Sequence, residues 1–458
     1  MSIEPRFESQ LQTERQRHLD ELIGLLRIPS ISALSVHKED VAIAAQFLAE
    51  ALTAAGMEHV HIFPTDGHPI VYGDYLHAPG KPTILVYGHY DVQPVDPLNL
   101  WDNDPFDPTI RDNKIYARGA SDDKGPTYLH IKALETILKI EGTLPVNVKF
   151  CIEGEEEIGS PQLEPFITQH KELLAADVLL ISDTTIIGPN QPAICYGLRG
   201  LCGMEVHVQG AKSDLHSGLF GGAVPNALHA MVELLASLHD QDGKVAVHGF
   251  YDDVTPLNTE ERAELTKLPY DDNAYKQDLG LEELVGEPGY TTIERTTARP
   301  TLELNGVYGG FQGEGSKTVT PSEAHAKITC RLVNDQDPLK ILDLIETHIK
   351  SHQPKGVTVT VTRTDHARAF IADFHQPAIQ TAVEAYQFAY DVEPHFMRMG
   401  GSIPIVEAFD RLLKLPVVLM GFSLPSENFH APNEHFSLDN FDKGLRALVY
   451  YYTHLERV

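Results

Sequence analysis

The sequence is short of cysteine, tryptophan and positive charge, and it has no long apolar run. Its 458 residues include four cysteines and one tryptophan. Cys151, Cys195, Cys202 and Cys330 form no Cys-x-x-Cys pair and sit inside apolar, strand-like segments. They read as buried reduced thiols, which excludes a disulfide framework or a thiolate metal site. No apolar stretch approaches the roughly 20 residues that a membrane span requires. The opening Met1-Ser-Ile-Glu-Pro-Arg runs straight into a charged amphipathic stretch. No secretory signal is expected, and the expected location is the cytoplasm. Lys and Arg number 36 against 65 Asp and Glu, a formal net charge of -29. Such a surface repels nucleic acid and anionic lipid, so neither is expected as a partner. Gly-x-Ser-x-Gly is absent and no cysteine lies near the His–Asp elements below, which argues against a covalent serine or cysteine hydrolase.

What is present is enough chain for two domains. Residues 8–27 and 40–55 show helical spacing, and short apolar runs follow at 60–63, 70–72, 83–87, 146–152 and 178–181. They alternate with helical segments such as 125–140, which predicts an α/β architecture around a buried sheet. From about residue 199 the pattern changes to alternating strands (203–208, 302–308, 324–332, 357–362) with helices at 226–238 and 338–350. That predicts a two-layer α+β unit over 199–367, with a polar stretch of loops and short helices at 250–300. A helix at 377–390, a strand at 416–420 and a helix at 441–455 return to the first style. The expected organisation is one catalytic domain built from 1–198 and 368–458, interrupted by a smaller domain at 199–367.

Five segments carry candidate chemistry. Val86-Tyr-Gly-His-Tyr-Asp-Val-Gln-Pro94 runs an apolar strand into His89 and Asp91. Residues i and i+2 of an extended chain share a side, so both can face one site. That site would lie at the strand's C-terminal end, where open α/β sheets bind their ligands. A histidine can bind metal through one ring nitrogen while a carboxylate accepts from the other. Tyr116-Ala-Arg-Gly-Ala-Ser-Asp-Asp-Lys-Gly125 puts two aspartates before a helix, where an ordinary N-cap is the competing explanation. Phe150-Cys-Ile-Glu-Gly-Glu-Glu-Glu-Ile-Gly-Ser160 ends a strand in clustered carboxylates. These repel one another unless a cation neutralises them. Asp183 follows the run at 178–181, and His430 lies in a loop after the run at 416–420. Two histidines with several carboxylates suit zinc, manganese or cobalt better than calcium or magnesium.

These segments resemble the co-catalytic di-metal peptidases, a family that includes carnosinase-like and bacterial dipeptidases, glutamate carboxypeptidase, aminoacylase and succinyl-diaminopimelate desuccinylase. The similarity runs through nearly the whole chain and is greatest to the carnosinase-like dipeptidase branch. It rests also on Leu198-Arg-Gly200, Asp214-Leu-His-Ser-Gly218, Lys317-Thr-Val-Thr-Pro321, Arg331-Leu-Val333, Gly400-Gly-Ser-Ile-Pro404 and His430-Ala-Pro-Asn-Glu434. The resemblance implies a di-zinc peptidase-type catalytic domain with an inserted lid and dimerisation domain. By it, His89 and Asp183 would hold one divalent ion and Glu157 and His430 the other, with Asp122 bridging. Zinc is the expected metal, with manganese and cobalt as alternatives. Asp91 would orient His89, and Glu156 would be the general base, leaving Glu155 spare. His216 would stabilise the oxyanion, reaching the neighbouring subunit's site in a homodimer. Arg331 and the Gly401-Ser402 loop would clamp a substrate carboxylate, with Thr318 and Asn226 lining the cleft. One departure is Arg398-Met399 before the double glycine, where carnosinase-like members often carry a carboxylate. The expected activity is hydrolysis of small peptides with a free C-terminus, and the alternative is an N-acyl-amino-acid amidohydrolase.

Overall fold

The computed structural model describes residues 5–458. The chain packs as two compact units. One comprises the residues up to Tyr196 with Ala372–Met397 and Ala408–Val458; the other comprises Gly197–Ile371 and Arg398–Glu407. The segment carrying Gly400, Gly401 and Ser402 thus packs with the second unit, against an expected catalytic-domain span of 368–458. Its attachment is concrete: the Arg199 Nε donates to the Gly400 carbonyl at 2.9 Å, and the Arg199 amide to the Gly401 carbonyl at 3.2 Å.

At the heart of the first unit, the strands Asn147–Glu153, Thr83–His89, Val178–Ile181 and Val417–Leu419 lie side by side in that order, all parallel. Ile84, Leu85, Val86 and Tyr87 are buried without alternation, as a sheet covered on both faces requires. Antiparallel strands Glu58–Phe63 and Ile70–Tyr75 extend one side, and Cys195 of Ala193–Leu198 pairs antiparallel with Leu419 on the other. The register aligns the strand ends: His89 lies opposite Glu153, and Ile181 opposite both Tyr87 and Leu419. Whatever follows each strand therefore gathers at one edge.

The helix Lys124–Glu141 starts at that same edge and packs on the strand Thr83–His89, flanked by Leu438–His454 and Pro5–Leu26. Its approach is close: a Cβ on Gly88 would come within 1.9 Å of the Thr127 hydroxyl, so glycine is what lets the helix seat there. A small antiparallel sheet of Thr109–Arg111, Lys114–Tyr116 and His435–Ser437 ties the His430 loop to the loop before this helix. Its strands are too short and polar to show in the sequence pattern.

In the second unit, the antiparallel sheet runs in the order Thr301–Gly309, Glu323–Leu332, Gly200–Gln209, Thr358–Ala367. Cys202, Met204, Val206 and Val208 alternate inward with Ala324, Ala326, Ile328 and Cys330. They bury against the helices Ala227–Ala236 and Pro338–Ser351. The polar stretch folds as three short helices, two opened by capping boxes, Asn258 with Glu261 and Thr291 with Glu294. Among the described residues no helix is long and apolar enough to cross a membrane.

Candidate metal centre

Two clusters of three donors meet at the carboxyl edge of the first unit's sheet, and they share one residue. His89 Nε2 lies 3.2 Å from Asp122 Oδ1 and 3.8 Å from Asp183 Oδ2. His430 Nε2 lies 3.0 Å from Asp122 Oδ2 and 3.3 Å from Glu157 Oε2. Each oxygen of Asp122 therefore faces a different histidine. His430 adopts φ +55°, a left-handed conformation that non-glycine residues hold mainly where surrounding structure imposes it.

The support around the clusters is dense. The Asp91 carboxylate accepts the amides of Glu156 and Glu157 at 3.2 and 3.1 Å. It thus caps the short helical turn Glu156–Ile158 that presents both side chains. His89 Nδ1 meets the Asp91 backbone carbonyl at 3.1 Å, with the Asp91 carboxylate 3.5 Å away. Gln93 donates to Glu157 Oε2 at 2.8 Å. Glu155 points elsewhere: it accepts the His68 amide at 3.0 Å and packs over Gly67. Among the described residues none hydrogen-bonds the Glu156 carboxylate, which is left free for chemistry.

Asp122 is set by a buried acid that sequence reasoning did not assign, although it stands in the His430–Glu434 motif. Glu434 accepts the amides of Gly119, Ser121 and Asp122 at 2.9, 3.0 and 3.1 Å and the Arg118 guanidinium at 2.7 Å. Both charged side chains are almost fully buried. Removing one partner of such a pair strands the other charge, at a cost of about 3–5 kcal/mol. Glu434→Ala is therefore expected to lower the urea midpoint by that much stability. An unchanged midpoint would show that the brace contributes little. Glu427, buried beneath the same loop, accepts the Ser121 hydroxyl and the amides of Leu424 and Ser437.

The electrostatics describe a site crowded with negative charge. Burial, reinforced by Asp122 and Glu157, pushes Asp183 up to about 7. Burial with Asp183, Glu157 and Asp122 holds Glu156 well above the usual carboxylate range, against the pull of His89. Hydrogen bonds to Asp122 and Glu157 push His430 up to about 10. Burial opposes charge on His89, yet Asp122, Asp91, Asp183 and Glu156 hold it well above the ordinary histidine value. A divalent cation among these donors would supply the charge that neutralises them.

The donor set fits a pair of metal ions. Donors about 2.0–2.1 Å from a tetrahedral ion stand roughly 3.4 Å apart. The four contacts above, 3.0 to 3.8 Å, bracket that spacing.

The remaining expected residues all belong to the second unit. Arg331, on the open face of strand Glu323–Leu332, donates to the Ser402 hydroxyl at 2.8 Å, while Gly401 is anchored by Arg199. His216 is exposed on the two-residue strand Leu215–His216, paired with Val319–Thr320, and the Thr318 carbonyl accepts the Ser217 amide at 3.0 Å. Asn226 caps the helix Ala227–Ala236 by accepting the Leu228 and His229 amides. Arg398, preceding the glycines, pairs with Glu261.

Two three-donor clusters sharing a carboxylate, at the carboxyl edge of the parallel strands of a mixed sheet, define a dinuclear metal-binding class of site. The match to a family model places the chain more closely: it belongs to peptidase family M20/M25/M40, matched over residues 85–454. The chain is 31% identical to the Cys-Gly metallodipeptidase dug1 of Schizosaccharomyces pombe, over 100% of its own length and 99% of that protein. It is also 31% identical to the human Beta-Ala-His dipeptidase, over 85% of this chain and 78% of the relative. Among solved structures it is similar to the M20 family metallo-carboxypeptidase Sso-CP2 of Sulfolobus solfataricus. That match has a TM-score of 0.84 and 33% identity, covering 95% of this chain and 98% of that one.

Proposed function

We propose that this peptidase is a metal-dependent dipeptidase acting on small unblocked peptides with a free C-terminal carboxylate. The observation that carries the reading is the pair of donor clusters joined at Asp122. Its full-length similarity to a Cys-Gly metallodipeptidase and its similarity to a Beta-Ala-His dipeptidase support the substrate class. His89, Asp122 and Asp183 would hold one ion and Asp122, Glu157 and His430 the other, with zinc the first candidate. A metal pair held by these residues would supply a water of lowered pKa and a Lewis acid for the scissile carbonyl. Glu156 takes the water's proton and delivers it to the departing nitrogen. Asp91 fixes the turn that aims Glu156 and sets the ring of His89. Arg331, already hydrogen-bonded to Ser402, supplies a fork suited to the substrate's terminal carboxylate. Gly401, Thr318 and Asn226 shape the same recognition surface. His216, exposed on its short strand, serves as oxyanion donor in a homodimer formed through the second unit.

The test compares kcat/KM for an unblocked dipeptide and its N-acetylated form, with wild type and Arg331→Lys. Wild type is expected to favour the unblocked peptide. The lysine variant is expected to raise KM about 10- to 100-fold, the loss of one charge-assisted bidentate contact. Preference for the acetylated form would make the protein an N-acyl-amino-acid amidohydrolase. An unchanged KM would remove Arg331 from the clamp.

A further inference from the structure

On the open face of the second unit's sheet, Tyr308, His325 and His207 stand directly across from one another on three adjacent strands. Their rings stack: Tyr308 on His325 with centroids 4.6 Å apart, and His325 on His207 at 4.4 Å. Glu323, two residues before His325, shares its face. One Glu323 oxygen lies 3.5 Å from His207 Nε2 and 3.9 Å from His325 Nε2. Both separations exceed an ordinary hydrogen bond, and His207 Nε2 is buried without a hydrogen-bond partner among the described residues. A bound ion or an ordered water is a partner that completes a buried polar atom left in this state.

We propose that His207, Glu323 and His325 form a third metal site, separate from the catalytic donors, that takes a zinc-class divalent ion. All three donor atoms lie within 4.8 Å of one another, and the 3.5 Å edge matches the roughly 3.4 Å donor spacing of a tetrahedral zinc site. Two imidazoles and one carboxylate select zinc, copper or nickel over magnesium or calcium. The rings are nearly parallel, at 11°, so their in-plane lone pairs run side by side, and a turn of one ring about its broad χ2 torsion, which opens the stack, aims both nitrogens at a common ion. The fourth coordination position is left to water. Because His207 and His325 sit on neighbouring strands, the ion clips Gly200–Gln209 to Glu323–Leu332.

The experiment equilibrates the protein, its catalytic pair already loaded, against micromolar free zinc and measures bound zinc per chain and dipeptide turnover. The control is His325→Phe, which keeps the ring stack with Tyr308 and removes the donor; Glu323→Gln is the second variant. The site predicts one zinc beyond the catalytic pair in wild type, lost in both variants, with their kcat unchanged. No additional zinc in wild type, or an additional zinc retained by both variants, would overturn the assignment and leave an aromatic stack only.

Discussion

Glu156→Gln is expected to lower kcat by about 10²–10⁴-fold while both metal ions stay bound. The reasoning is positional. Three consecutive glutamates follow the strand Asn147–Glu153, and each faces different surroundings. Glu155 is committed to the His68 amide, Glu157 is held by Gln93 and faces His430, and Glu156 takes no hydrogen bond on its carboxylate from any described residue. Glutamine keeps the shape and cannot accept a proton. Metal content measured beside turnover separates a lost base from a lost ion. Full activity in the variant would remove Glu156 from proton transfer, whereas a loss of metal would make it a ligand.

Asp122→Ala should do more, because one carboxylate serves both clusters. Its oxygens face His89 and His430 at 3.2 and 3.0 Å, so each cluster drops to two donors at once. In a His325→Phe background, which removes the separate site on the second unit's sheet, bound metal is expected to fall from two ions to none after dialysis, with turnover at background. The fold should persist, since the Glu434 brace acts on the backbone amides around Asp122 and on Arg118. Retention of one ion would mean that Asp122 belongs to a single cluster, and the bridging role would fail.

The α/β character of the first unit was legible because its central strands are buried on both faces and read as unbroken apolar runs. The alternating strands of the second unit were legible for the opposite reason, one face packed and one open. His89, Asp122, Glu157, Asp183 and His430 stood out as polar residues just beyond strands or before a helix. Their convergence depends on register, which aligns the ends of strands distant in sequence. What escaped was the machinery that acts through backbone. Asp91 was expected to meet His89 through its carboxylate, yet that carboxylate caps the Glu156–Ile158 turn and the closest contact to the ring is a main-chain carbonyl. Capping of a three-residue turn leaves no periodic signature. Glu434, Arg118 and Gln93 lay inside recognised motifs, but partners on remote loops set their roles. The 398–407 segment reads as more of the catalytic tail, and its contacts with Arg199, Arg331 and Glu261 reveal where it packs.

The most direct test of the central claim is to strip the protein of metal and titrate zinc back while following hydrolysis of an unblocked dipeptide. With His325→Phe removing the separate site on the second unit's sheet, the di-metal reading predicts no turnover in the stripped protein and recovery that saturates at two zinc ions per chain. Undiminished turnover without metal, or saturation at a single ion, would contradict it.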